Sequence, residues 1–138
     1  MKVADMHSDT IYELLKKRRA GENACLRKNT LHMDLQKMTQ ADYMLQNFAM
    51  FVELGKCENA YEEAKAEYVV FAEEMENNQD LISQVFCYED ILKNRESGKL
   101  SALLTIEEGE VCMGKIEKLE ELLDSAFDRL EIAFGIDD

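Results

Sequence analysis

Apolar positions along the chain fall into short runs, separated by longer stretches in which they recur every three or four residues. KVADMH (2–7) reads as a short strand, and TIYELLKKRRAG (10–21) follows with Ile11, Leu14 and Leu15 at helical spacing and Gly21 as a stop. GENACLRKNTLHMD (21–34) is polar and turn-like. Asp34 then suits the N-cap of a short helix over DLQKMTQAD. YMLQNFAMFVEL (43–54) alternates little, as expected of a strand buried on both faces of a parallel sheet. ENAYEEAKAEYVVFAEEMENN (58–78) is the clearest amphipathic helix, with Ala, Tyr, Val and Phe on one face and glutamates on the other. ISQVFCY (82–88) reads as a strand, EDILKNRESG as a helix ended by Gly98, and KLSALLTIEEG (99–109) as another buried strand. KIEKLEELLDSAFDRLEIAF (115–134) returns to helical period.

Strand and helix thus alternate about four times, the pattern of a parallel α/β fold, either a doubly wound sheet or a β/α barrel of the TIM type. A whole barrel needs eight such units and about 250 residues, so 138 residues supply about half of one. No Pro-, Gly- or Ser-rich linker divides the chain, and residues 1–138 read as a single partial β/α barrel. In such a half barrel the helices cover only the outer face, and the sheet ends in unpaired edges, so pairing into a homo-oligomer is expected.

Charge narrows the partners. A net charge of −13 argues strongly against nucleic-acid binding, because phosphate neutralisation needs clustered Lys and Arg. The one basic cluster, Lys16 to Arg19, suits the C-terminal end of a helix dipole and reads as a solvated helix end. No apolar stretch approaches the roughly 20 residues that span a bilayer. The polar start lacks the apolar segment of a secretory signal, which places the chain in the cytoplasm. Cys25, Cys57, Cys87 and Cys112 form no C-x-x-C pair and read as buried reduced thiols.

The candidate chemistry sits at strand ends, where a β/α barrel keeps its working groups. Both histidines stand two residues before an aspartate: His7 with Asp9, and His32 with Asp34. His7 and Asp9 close the first strand, and residues i and i+2 of a strand share a face, so imidazole and carboxylate can serve one divalent metal. They can equally form a hydrogen-bonded pair at the rim. His32 lies in a polar loop, which points away from catalysis. Glu107 ends the last apolar run and precedes Glu108 and Gly109, a glycine suited to a sharp exit. Its carboxylate could bridge two metals or simply be solvated.

VADMHSDT, HMDLQKM, MLQNFAMFVE and YEDILKNRESGKLSALLTIEEGE, in that order over most of residues 1–114, resemble the N-terminal part of the membrane dipeptidase family, also called renal dipeptidase or peptidase family M19. The resemblance implies a β/α barrel with a binuclear Zn2+ site that hydrolyses dipeptides by a metal-bridged hydroxide, often with a D-residue in second position. It makes His7 and Asp9 first-strand metal ligands and Glu107 the bridging glutamate, with Glu108 standing where the family has the first of two glycines. His32 matches no ligand. The family's further metal-binding and catalytic histidines, with an arginine and an aspartate, come from later strands, and no histidine follows Glu107 here.

The expectation is therefore a truncated zinc dipeptidase with little activity alone. A non-catalytic, self-associating α/β remnant is the second reading. A third is a response-regulator-like domain holding magnesium at acidic strand ends, which strand order would separate.

Overall fold

The computed structural model describes residues 1–126. The elements follow as β1 (Val3–Asp5), α1 (Thr10–Arg19), α2 (Leu35–Gln40), β2 (Tyr43–Met50), α3 (Ala60–Asn77), β3 (Ile82–Gln84), α4 (Tyr88–Glu96), β4 (Leu100–Ile106) and α5 (Ile116–Ala126). Every expected element is present, although β1 stops two residues short of His7. The part of the last helix expected after Ala126 lies outside the described residues.

Local chemistry sets the boundaries. The Asp34 carboxylate accepts from Lys37 N to start α2, and the Asn59 side chain accepts from Tyr61 N and Glu62 N to start α3. Gly98, at φ 71°, takes the left-handed position after α4 that a side chain would resist. No helix among the described residues is long and apolar enough to cross a membrane.

All strand pairs are parallel, and the order across the sheet is β1-β2-β4-β3. The third strand therefore lies outside the fourth. A response-regulator-like sheet keeps its first strand inside the order 2-1-3-4-5, whereas β1 here is an edge, so that reading fails. Phe48 pairs with Leu104, Met50 with Ile106 and Ile82 with Leu100 in register, which aligns apolar side chains on one face.

That face carries the core. Phe48 meets Phe71 of α3 at a centroid distance of 6.0 Å, and Ile11, Leu14, Leu35, Met38 and Leu104 close around them. Each such side chain contributes about 1.5–3 kcal/mol by leaving water. The other face presents Leu45, Asn47, Leu103 and Thr105. It is not bare as expected: Asn94 of α4 donates to Ser101 Oγ at 3.2 Å and to the Ser83 carbonyl at 3.3 Å, so one helix closes its lower end.

Three expectations change in the structure. Lys16 to Arg19 do not form a merely solvated helix end, because Arg18 pairs with Glu73 and with the buried Glu74, and Arg19 with Glu63, which clamps α1 to α3. The glutamates of α3 do not all face water: Glu67 and Glu74 are fully buried. The cysteines are free, but half-buried or, at Cys87, exposed.

Candidate metal centre

His7 and Asp9 are positioned by the segment that leaves β1, not by the strand's own alternation. The Asp5 carboxylate accepts from His7 N at 3.1 Å, and the Ser8 carbonyl accepts from Ala49 N at 3.0 Å, so the segment stays pinned along β2 after regular pairing ends. Asp9 is the N-cap of α1, yet its side chain makes no capping bond. Its carboxylate turns to His7 instead, with Oδ1 3.1 Å from Nε2.

Glu107 arrives from the other side of β2. Its amide donates to the Met50 carbonyl at 3.2 Å, which carries the β2–β4 register one residue past the strand. Its Oε2 stands 3.4 Å from His7 Nε2. Gly109 opens one turn of 3-10 helix without a left-handed φ, Glu108 before it is extended, at φ −109°, where any residue is at ease, and the left-handed positions are Met113 and Gly114. Glu108 in place of a glycine is thus compatible with this exit.

One donor atom from each of His7, Asp9 and Glu107 lies within 4.8 Å of the others, and all three residues are exposed. Among the described residues no other group of three or more such side chains converges in this way. One imidazole and two carboxylates are ordinary zinc donors and also suit other divalent ions, so the residues fit a metal.

Two comparisons bear on this arrangement. The sequence profile of the membrane dipeptidase family (peptidase family M19) matches residues 1–127. The chain belongs to this family. A crystal structure described as dipeptidase AC, a metallopeptidase of family M19, superposes with a TM-score of 0.71 at 18% identity, over 88% of this chain and 40% of that one. The chain thus spans less than half the length of that relative, and its parallel sheet is the partial β/α barrel expected from the alternation of elements. No curated protein matches the chain.

Within this M19 chain the second H-x-D pair has a different task. Asp34 is buried and accepts from Lys37 N at 2.8 Å and Asn29 N at 3.1 Å. Burial pushes its carboxyl up, but those two amides and the Lys37 ammonium outweigh burial and hold it below the usual aspartate range. His32 stays exposed and outside the donor group. It does line an open groove of about 710 Å³ that begins at His7 and Asp9 and is walled by Tyr12, Leu31, Met33 and Phe51. Tyr12 donates to Glu53 at 2.8 Å, and this bond, with burial, pushes its phenol up to about 12.

Two residues behind the site escaped the sequence reading. Asn47 of β2 hydrogen-bonds the segment leading to His7 and the strand leading to Glu107. Glu67 of α3 accepts from Phe51 N at 2.9 Å while its Oε1 has no hydrogen-bonding partner among the described residues. Desolvation, reinforced by Glu63 and Asp9, pushes its carboxyl up to about 8. A polar pair inside the apolar run of β2 was the available signal for Asn47. For Glu67 it was a glutamate falling on the apolar stripe of its helix.

Proposed function

We propose that this chain is the N-terminal, metal-binding portion of a zinc-dependent dipeptidase. His7 and Asp9 would hold one ion, and Glu107 would help to hold it and a second ion where further ligands are supplied. The observation that carries this reading is the convergence of those three donors, from just past the ends of two non-adjacent strands, in a chain whose sequence matches a dipeptidase family. Zinc bound there would supply Lewis-acid polarisation of a peptide carbonyl and a more acidic water.

The chain's own residues explain how a substrate would be received. Tyr12 is fixed through its hydroxyl by Glu53 and meets Phe51 edge-on, with ring centroids 5.6 Å apart. These rings, with Leu31 and Met33, give the groove beside the donors an apolar wall for a small peptide side chain. Asp5 and Glu13 line the same groove and favour a cationic amino terminus. Free thiols are in keeping with a reducing compartment such as the cytoplasm.

The three donors that converge among the described residues are fewer than a two-ion site requires, so this reading has the chain hold one zinc and leave dipeptides essentially uncleaved. Zinc titration of the purified chain with a chromophoric chelator, followed by incubation with dipeptides, tests both parts. One equivalent bound without turnover is expected. No zinc uptake, or hydrolysis at an enzymatic rate, would overturn the reading.

A further inference from the structure

We infer that Asn47 is the positioning residue of this metal centre, the side chain that sets the distance between the ligands from β1 and the ligand from β4. The inference rests on the metal-binding reading above. β1 and β4 never touch, because β2 lies between them. The β2 backbone holds each side separately, the Ser8 carbonyl on Ala49 N and the Glu107 amide on the Met50 carbonyl, whereas a single side chain bonded to both sides joins them and sets them directly against each other.

The Asn47 amide makes that join. It is buried, with 8% of its surface exposed. Nδ2 donates to the Met6 carbonyl at 2.9 Å, immediately before His7, and Oδ1 accepts from Thr105 Oγ1 at 2.9 Å, two residues before Glu107. The orientation of the amide is settled by its partners. The Met6 carbonyl can only accept, so the NH₂ group must face it.

The chemistry at position 47 is correspondingly narrow. Aspartate would set a carboxylate against the Met6 carbonyl, and leucine would leave both that carbonyl and the Thr105 hydroxyl without this partner. Met6 itself lies outside β1, so the segment carrying His7 depends on a few bonds of this kind. Residues that orient metal ligands from behind typically change metal affinity 10–100-fold when removed.

The test is zinc affinity of the full 138-residue chain, measured by chelator competition alongside thermal melting. Asn47→Ala, Asn47→Asp and Thr105→Val are expected to weaken zinc binding by at least about 10-fold, and Thr105→Ser, which keeps the hydroxyl, to restore it. Asn94→Ala removes hydrogen bonds at the opposite end of the sheet. It should lower the melting temperature yet leave zinc affinity unchanged. Should Asn47→Ala fail to fold, Thr105→Val and Thr105→Ser carry the comparison. Wild-type affinity in the Thr105→Val variant, or an equal loss in Asn94→Ala, overturns the inference alone. A wild-type chain that takes up no zinc overturns it together with the reading beneath it.

Discussion

His7 Nε2 lies 3.4 Å from Glu107 Oε2, although the strands that deliver them are separated in the sheet by β2. The proximity is a tertiary product, with Asp9 joining it at 3.1 Å by giving up its helix-capping role. His7→Ala and Glu107→Gln should therefore each reduce zinc affinity by about 10-fold or more, whereas His32→Ala should leave it unchanged because His32 is not among the converging donors. Chelator competition on the three variants decides this. A loss at His32 equal to that at His7 would reassign the site.

Asp34 should be a stability residue with an acid signature. Its carboxylate satisfies Lys37 N and Asn29 N and meets the Lys37 ammonium at 3.0 Å. Asp34→Ala removes a helix cap and strands a second amide, at a cost of about 2 kcal/mol. The folded-state carboxyl is held below its ordinary value, so its contribution is present above about pH 4 and is lost as pH falls through the folded value. Asp34→Asn keeps an acceptor for the cap and should flatten the acid limb of stability. Urea melts across that limb compare the variants, and identical acid limbs would remove Asp34 from the account.

The Glu74 carboxylate is buried between α3, α1 and the loop after α1. It accepts from Arg18, from Leu26 N at 2.8 Å and from Asn78 Nδ2 at 3.1 Å. Arg18→Met leaves a buried charge without its counter-ion, which costs about 3–5 kcal/mol. Adding Glu74→Gln keeps an acceptor for Leu26 N and removes the stranded charge, so the double variant should be more stable than Arg18→Met alone. A double-mutant cycle by urea melts measures the coupling, and additive losses would rule out the buried pair.

The local pattern made the elements legible, because apolar spacing and caps such as Asp34 are properties of neighbouring residues. Strand order was not legible, since nothing in ISQVFCY says that its strand settles outside KLSALLTIEEG and not inside it. His7, Asp9 and Glu107 could be named from strand ends and family resemblance. The reason first given for His7 and Asp9, alternation along a strand, yields to a pinned loop. Arg18 could not be told from its neighbours Lys16 and Lys17, because its role depends on a glutamate that long-range packing buries. Glu67 and Glu74 were hidden by a helix rich in glutamate, although Tyr61, Ala64, Glu67, Phe71 and Glu74 form one buried stripe at helical spacing.

Glu67 makes that stripe titratable. Its carboxyl is raised to about 8 by burial first, then by Glu63 and Asp9, against the opposing Phe51 amide and Arg19. The unfolded chain ionises this group at its ordinary value of about 4.5, so between the two values the folded protein holds a proton that the unfolded chain has lost. The stabilisation is complete below the lower value and disappears as pH rises through the higher one, with a slope of at most about 1.4 kcal/mol per pH unit. Glu67→Gln keeps an acceptor for Phe51 N without the ionisation. The variant should match wild type near pH 5 and melt at a higher temperature near pH 8. Parallel melting curves for the two proteins across that window would show that the Glu67 carboxyl is not raised in the folded protein and would remove it from the account.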